Sequence, residues 1–157
     1  MPQAILDTTL LSNFAHIRRP DLLQAVFGPN VSTTAVVMVE LKSGVKAGWV
    51  PRCDWSWLPV VPPTEEEQYL AEQYSRVLDP GEAVCLAIAK LRGWVFASDD
   101  LAARRLAQRE EIAISGTIGV LQKLVATRLL TLEEADAYLA IMVGRGYRSP
   151  VRTLGDL

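Results

Sequence analysis

Five carboxylates stand where a charge is expensive: Asp7 in LDTTL, Glu40 in VVMVEL, Glu82 in DPGEA, and the adjacent Asp99 and Asp100 in FASDDLAARRLA. Each lies inside or at the edge of an apolar stretch, where an unpaired ionised carboxylate is strongly disfavoured. Two carboxylates ~4 Å apart repel by about 4 kcal/mol at an effective dielectric of about 20, so a gathered set needs protons or a divalent cation. An all-oxygen donor set suits Mg²⁺ or Mn²⁺ rather than zinc. Such ions activate water and clamp a phosphodiester during hydrolysis. The chemistry these residues point to is metal-assisted cleavage at phosphate.

Each acid has a duller reading. Asp7 serves equally as the N-cap of a following helix. Glu40 shares a helical face with Val36, Val37, Leu41 and Gly44, although a helix margin facing solvent also accommodates it. The run Asp79-Pro80-Gly81-Glu82 fits a capping box, with Glu82 reaching back to the cap. One of Asp99 and Asp100 caps the next helix, but two adjacent aspartates exceed what capping needs. Arg104 and Arg105, four and five residues after Asp100, either hold phosphate or pair with the aspartates at helical spacing; such pairs are worth only ~0.3–0.5 kcal/mol. Capping leaves Glu40 unexplained, and the order of the acids carries more weight than any one of them.

The elements that must position them alternate. QAILD (residues 3–7) reads as a buried strand ending on Asp7, followed by helical patterns over 9–17 and 20–27, the second opened by Pro20 and stopped by Gly28. Residues 30–33 form a short strand or turn, with Ser32, Thr33 and Thr34 available as caps. AVVMVELKSGVKAG permits strand or helix, and the shared face favours helix. WSWLPVVPP reads as a strand closed by prolines, then TEEEQYLAEQYSRVL and DPGEAVCLAIAKLRG as helices, WVFAS as a strand, LAARRLAQRE as a helix, and EIAIS as a strand. GTIGVLQKLVATR and LTLEEADAYLAIMVGRG complete the helices, with Gly116 and Thr117 making a strand-to-helix turn and cap. This alternation implies an α/β layer fold with a mostly parallel sheet. Ligands in such folds bind beyond the carboxyl ends of the strands, the edge at which Asp7 and Asp99 both arrive.

Composition bounds the rest. At 157 residues, half of them hydrophobic, the chain is one ordered domain with a sizeable core. A net charge of −2 argues against a sequence-independent nucleic-acid coat, so any such binding uses a local basic patch. Cys53 and Cys85 show no zinc or disulfide spacing. MPQAILDTTLL lacks the basic region and cleavage site of a signal peptide, and no apolar run reaches the ~18 residues of a membrane span, so a soluble cytoplasmic protein without membrane contacts is expected. His16, the single histidine, stands in FAHIRR with no nucleophile beside it, which disfavours a triad, and no phosphate-cradling GxGxxG or GxxxxGK[ST] loop is present. Trp94 reads as a packing residue, while the Trp-rich loop 49–57 is the best candidate for an exposed contact surface.

Taken in order, these motifs resemble a PIN-domain nuclease, the fold of VapC-type toxins, and most closely the PIN proteins described as predicted nucleic-acid-binding. The resemblance rests on D-[ST]-[ST] at Asp7-Thr8-Thr9, V-x-x-E-L from Val37 to Leu41, L-D-x-G-E-A from Leu78 to Ala83, D-D-x-x-A-R-x-x-A from Asp99 to Ala107, and G-T-x-G-x-L from Gly116 to Leu121. It covers residues 3 to about 148, so 1–148 is taken as the PIN-like domain and 149–157 as a C-terminal tail.

The resemblance implies a three-layer sandwich with a twisted parallel sheet of about five strands between helices. It implies one or two Mg²⁺ or Mn²⁺ ions held by Asp7, Glu40, Glu82 and one of the aspartate pair, and RNA cleavage leaving a 5′-phosphate and a 3′-hydroxyl. The pattern [TS]-x-D-x-x-x-R fits Ser98, Asp100 and Arg104, placing Asp100 before Asp99 as ligand. Thr8 or Thr9 would hold the first aspartate or a water at the ion, and Glu82 stands where many relatives carry aspartate.

The expectation is therefore a metal-dependent endoribonuclease, the toxin of a toxin–antitoxin pair, with a cognate antitoxin and a homodimer as its expected partners. The rival is a PIN-like module that binds nucleic acid or protein without cutting. A phosphatase with an aspartyl nucleophile is disfavoured, because Thr9 occupies the position of its second aspartate.

Overall fold

The computed structural model describes residues 3–157. Strand β1 (Ala4–Leu6) is wholly buried and leads through Asp7 into helix α1 (Thr8–His16). Helix α2 (Asp21–Phe27) and strand β2 (Val31–Ser32) follow. Helices α3 (Ala35–Lys46), α4 (Glu65–Tyr74) and α5 (Pro80–Arg92) come before strand β3 (Val95–Ala97). Helix α6 (Leu101–Arg109), strand β4 (Ile114–Ser115), helices α7 (Thr117–Ala126) and α8 (Leu132–Gly144), and a terminal 3₁₀ turn (Leu154–Asp156) complete the chain.

The sheet is parallel throughout, in the order β2-β1-β3-β4. Since β1 lies in the middle, the chain first moves outward to β2 and then crosses back to β3 on the other side. Right-handed crossovers in opposite directions place the intervening helices on opposite faces. Accordingly α5 packs on β1 and β3 and touches α3, α4 and α6, whereas α2 packs on α7, and α8 on α1 and α7. Ile5, Leu6 and Phe96 at the sheet centre are fully buried among Leu10, Leu11, Phe14, Leu86, Ile88 and Leu121.

The described residues form a sheet of four strands rather than about five. The stretch expected as the extra strand contributes a single bridge, Thr33 to Val60, made by Thr33 N–H to the Pro59 carbonyl at 2.9 Å and Val61 N–H to the Thr33 carbonyl at 2.9 Å. Pro59, Pro62 and Pro63 have no N–H to donate, so the ladder cannot extend. Trp55 is buried and Trp57 half-buried, leaving Trp49 alone of this loop's tryptophans strongly exposed, at 78 %. Trp94 precedes β3 and stacks beneath the Arg92 guanidinium, 4.9 Å from the ring centroid.

Local chemistry sets the helix ends as the composition suggests. Thr34 caps α3 by accepting from Val37 N–H at 3.2 Å. Asp79 caps α5 with Pro80 in the first turn, and Gly93 ends that helix in the left-handed region at φ 68°. The expected capping box at Asp79 is only half made. Asp79 Oδ1 accepts from Glu82 N–H at 3.1 Å, but the Glu82 carboxyl does not return to the cap. The residues after α8 pack back on it: Leu154 is buried, and its N–H donates to Asp136 Oδ1 at 2.7 Å.

Candidate active site

The sheet's connection reverses at β1, so the crevice outside the carboxyl ends of β1 and β3 is a topological switch point, where open parallel sheets bind their ligands. A cleft of about 870 Å³ lies there. Its lining includes Thr8, Thr9, Glu40, Asp79, Asp99, Asp100 and Arg104, with Asp7 and Glu82 more deeply buried. In-register pairing of Leu6 with Ala97 brings the residues that follow them side by side.

Asp7 is 0 % exposed. Its Oδ1 accepts from Thr9 Oγ1 at 2.7 Å, Thr9 N–H at 3.1 Å and Leu10 N–H at 3.3 Å, so it is indeed the cap of α1. Its Oδ2 is buried without a partner of ordinary geometry. Burial pushes the carboxyl up to about 7; the nearby Ser98 hydroxyl, Thr9 and the Leu10 N–H pull the other way, and the Asp99 charge adds to the rise. Thr9 also accepts from the Asp99 N–H at 2.9 Å and lies 3.4 Å from Ser98 Oγ, tying the end of β1 to the end of β3.

Asp99 is held from three directions: Asn13 Nδ2 donates to Oδ2 at 2.8 Å, Thr117 N–H donates to Oδ1 at 2.8 Å, and the Thr117 hydroxyl makes a short bond to Oδ2. Burial still raises its pKa, against the pull of these donors. Asp100 caps α6, its Oδ2 accepting from Ala103 N–H at 2.9 Å, while its own N–H donates to Ser98 Oγ at 3.1 Å. The aspartate pair thus divides: Asp99 is turned to Asn13 and Thr117, whereas Asp100 lies within reach of Glu82.

Glu82, 7 % exposed, lies within hydrogen-bonding reach of both Asp79 and Asp100 and leaves Oε2 buried without a partner. Burial first, then these two carboxylates, pushes its pKa far above the ordinary glutamate value, so it holds a proton at neutral pH. Glu40 reaches the same rim from α3. Its Oε1 accepts from Thr8 Oγ1 at 2.7 Å, the Gly81 N–H points at it, and burial with the Asp79 charge raises its pKa. A Cβ on Gly81 would stand 1.9 Å from Glu40 Oε1, and one on Gly116 would stand 2.8 Å from Asp99 Oδ1. Each glycine leaves the space its carboxylate occupies.

The two arginines separate. Arg104 lines the cleft, but its Nη1 donates to the carbonyls of Ser98 at 2.8 Å and Ser115 at 2.9 Å, strapping β3 to β4. Arg105 is exposed and faces a different surface with Gln108 and Arg109, because the next residue on a helix turns about 100° away. Sequence reasoning missed Asn13, Thr117 as a donor to Asp99, and Asp79 as a member of the rim. Asn13 stands six positions after Asp7, off the three- and four-residue spacing of one helix face, and carried no motif signal. Asp79 was legible as a cap, which concealed its second role.

The donor set is all oxygen. Two of its buried oxygens, Asp7 Oδ2 and Glu82 Oε2, lack partners, and burial above all, with neighbouring carboxylates adding to it, raises the pKa values of these two acids. Among the described residues, no three Asp, Glu, His or Cys side chains converge into a ready-made metal cage. The all-oxygen chemistry of the set and its two partnerless buried oxygens suit Mg²⁺ or Mn²⁺, hard cations that take oxygen ligands.

A parallel sheet whose switch point opens into a carboxylate-rimmed cleft defines an α/β protein with an acidic cleft at the carboxyl edge of its sheet. The chain belongs to the PIN-domain family, whose model, described as a PIN domain, matches residues 3–156. The family points to a nuclease-type fold, with nucleic acid as substrate and divalent metal ions as the usual cofactor. No curated protein matches the chain. No helix among the described residues is long and apolar enough to cross a membrane.

Proposed function

We propose that this protein is a metal-dependent endoribonuclease that hydrolyses RNA phosphodiester bonds with Mg²⁺ or Mn²⁺. The observation that carries the reading is the gathering of Asp7, Asp99, Asp100, Glu40 and Glu82 around one cleft, with two of their buried oxygens unsatisfied. Asp7, Glu40, Glu82 and the aspartate pair would hold the ion or ions, with Asp100 on the Glu82 side of the cleft. When bound, such an ion neutralises phosphate charge and makes a water nucleophilic near neutral pH.

The chain's own residues supply the rest. Thr9 fixes Asp7 and Thr8 fixes Glu40, so both carboxylates keep one orientation. Asn13 and Thr117 hold Asp99, and Arg104 keeps the ends of β3 and β4 in register beneath it. Asp7 and Glu82 hold protons at or above neutrality in the ion-free protein and release them on cation binding, so affinity rises with pH.

The test is cleavage of single-stranded and structured RNA in Mg²⁺ or Mn²⁺. Loss of cutting in the Asp7→Asn, Glu40→Gln double variant is expected; undiminished activity there sinks the reading. One observation favours the binding-module alternative: the acids do not form a closed cage. Calorimetry with millimolar Mn²⁺ separates the two, since a non-catalytic module shows no binding heat. The toxin role rests on the family resemblance, and finding a small neighbouring reading frame that encodes a DNA-binding antitoxin would support it.

A further inference from the structure

The cleft has a second wall of the opposite sign. The segment that follows α8 contributes Arg145, Tyr147 and Arg148 to the same lining as the acids. Both arginines are exposed. The ion pairs among the described residues are Arg19 with Asp21 and Arg92 with Glu67, so neither guanidinium is committed. Arg104, the other arginine of the lining, has turned Nη1 toward two backbone carbonyls.

This wall is anchored at both ends. Tyr147 N–H donates to the Met142 carbonyl at 3.0 Å, and Gly146 takes φ 111°, a turn that a side-chain-bearing residue rarely adopts. Farther on, Leu154 is buried and bonded to Asp136. Tyr147 and Arg145 share the cleft lining with Asp99, Arg104 and His16, so the wall meets the acidic edge on one side and α1 on the other. Free guanidinia facing carboxylates across a gap, without pairing to them, leave room for an anion between.

A polyanion approaching a chain of net charge −2 needs local cations, and these two are placed beside the acids. The depth of the site selects the form of the polyanion. Asp7 is 0 % and Glu82 7 % exposed, so a phosphate must descend into the cleft to reach them. A single strand can bend its backbone inward, whereas an A-form duplex carries its phosphates on a stiff outer rail.

We infer that Arg145 and Arg148 grip the backbone of a single-stranded RNA, contacting phosphates that flank the one presented to the carboxylates. This rests on the nuclease reading for the identity of the ligand, but it concerns binding and not cleavage. Arginine suits the role because its planar fork meets phosphate oxygens in pairs.

The test is fluorescence anisotropy with a 5′-fluorescein-labelled, mixed-sequence 10-nucleotide RNA in Ca²⁺ buffer over a salt series, single-stranded or annealed to its complement. Single-strand contacts contribute about 0.7 each to the slope of log affinity against log salt. The Arg145→Ala, Arg148→Ala double variant should bind roughly tenfold more weakly and lose about 1.4 of that slope, in line with two phosphate contacts. The corresponding double lysine variant should recover the slope, and Arg105→Ala with Arg109→Ala should match wild type. An unchanged slope in the alanine variant, tighter binding of the duplex, or no RNA binding by wild type overturns the inference. Arginine-dependent binding without Mn²⁺-dependent cleavage refutes the nuclease reading and leaves this wall standing. Cleavage by wild type with normal RNA binding by the alanine variant does the reverse.

Discussion

The two sides of the acidic rim are built on different principles. On the β1–β3 side, Asp7 and Asp99 accept hydrogen bonds from Thr9, Leu10, Asn13 and Thr117, so each is oriented even without a cation. On the α5–α6 side, Glu82 faces Asp79 and Asp100 and has no comparable donors, so a proton takes the place of partners. The first side resembles a prepared socket. The second is a cluster of like charges kept tolerable by protonation. Burial alone therefore does not orient a carboxylate; the donors supplied by neighbouring helix starts do.

The largest expected effect distinguishes charge from geometry at Asp7. Its folded-state pKa is near 7 against an ordinary 3.8, so the folded chain holds more protons than the unfolded chain between those values. The associated stability is complete below the lower value and is lost as pH rises through the higher, up to about 4 kcal/mol in all. Thermal melts in EDTA should show wild type falling between pH 5 and pH 8, with Asp7→Asn flatter and more stable at pH 8. Parallel curves would count against a charged burden at this site. Added Mn²⁺ should stabilise wild type at pH 8 and act on Asp7→Asn far less.

Removing a donor from the prepared side should come next. Asn13→Ala strips Asp99 of one bond and Thr117 of another, at a cost of roughly 1–3 kcal/mol in a urea titration. A loss below about 0.5 kcal/mol would mean that Thr117 orients Asp99 unaided.

Gly81→Ala probes the other side. Helix propensity alone favours alanine by about 1 kcal/mol. Since the added Cβ meets Glu40 Oε1, we expect no net gain and about 1 kcal/mol of net loss, with weaker Mn²⁺ binding by calorimetry. A stabilised variant with normal Mn²⁺ affinity would show that Glu40 moves aside freely.

The smallest effect on stability belongs to Glu82→Gln. Glu82 is already protonated at neutral pH, so the ion-free protein should change by less than about 1 kcal/mol at pH 7, read by the same urea titration. Its Mn²⁺ affinity should nevertheless drop. A large loss of ion-free stability would mean that Glu82 is charged and paired after all.

Much of this was legible in local chemistry. Strand ends, caps and the helical face of Glu40 follow from side-chain periodicity and from aspartate or threonine satisfying helix N–H groups, both short-range effects. The proline-closed stretch WSWLPVVPP, 55–63, misled, because its apolar residues look like a strand while its missing proline N–H groups forbid a ladder. Arg105 misled in the same manner. Adjacency to Arg104 in sequence means different surfaces on a helix.

The sequence by itself determined which residues carry charge, which elements they begin or end, and that Asp7 and Asp99 arrive at one sheet edge. Only the tertiary structure decided that Asp100 lies within reach of Glu82, that Asn13 and Thr117 orient Asp99, and that the segment after α8 lines the far wall with Arg145 and Arg148. The physical reason is range. Capping and periodicity act over three or four residues, whereas Asn13 and Thr117 are 104 positions apart and meet only because α1 and α7 start at the same edge of one sheet.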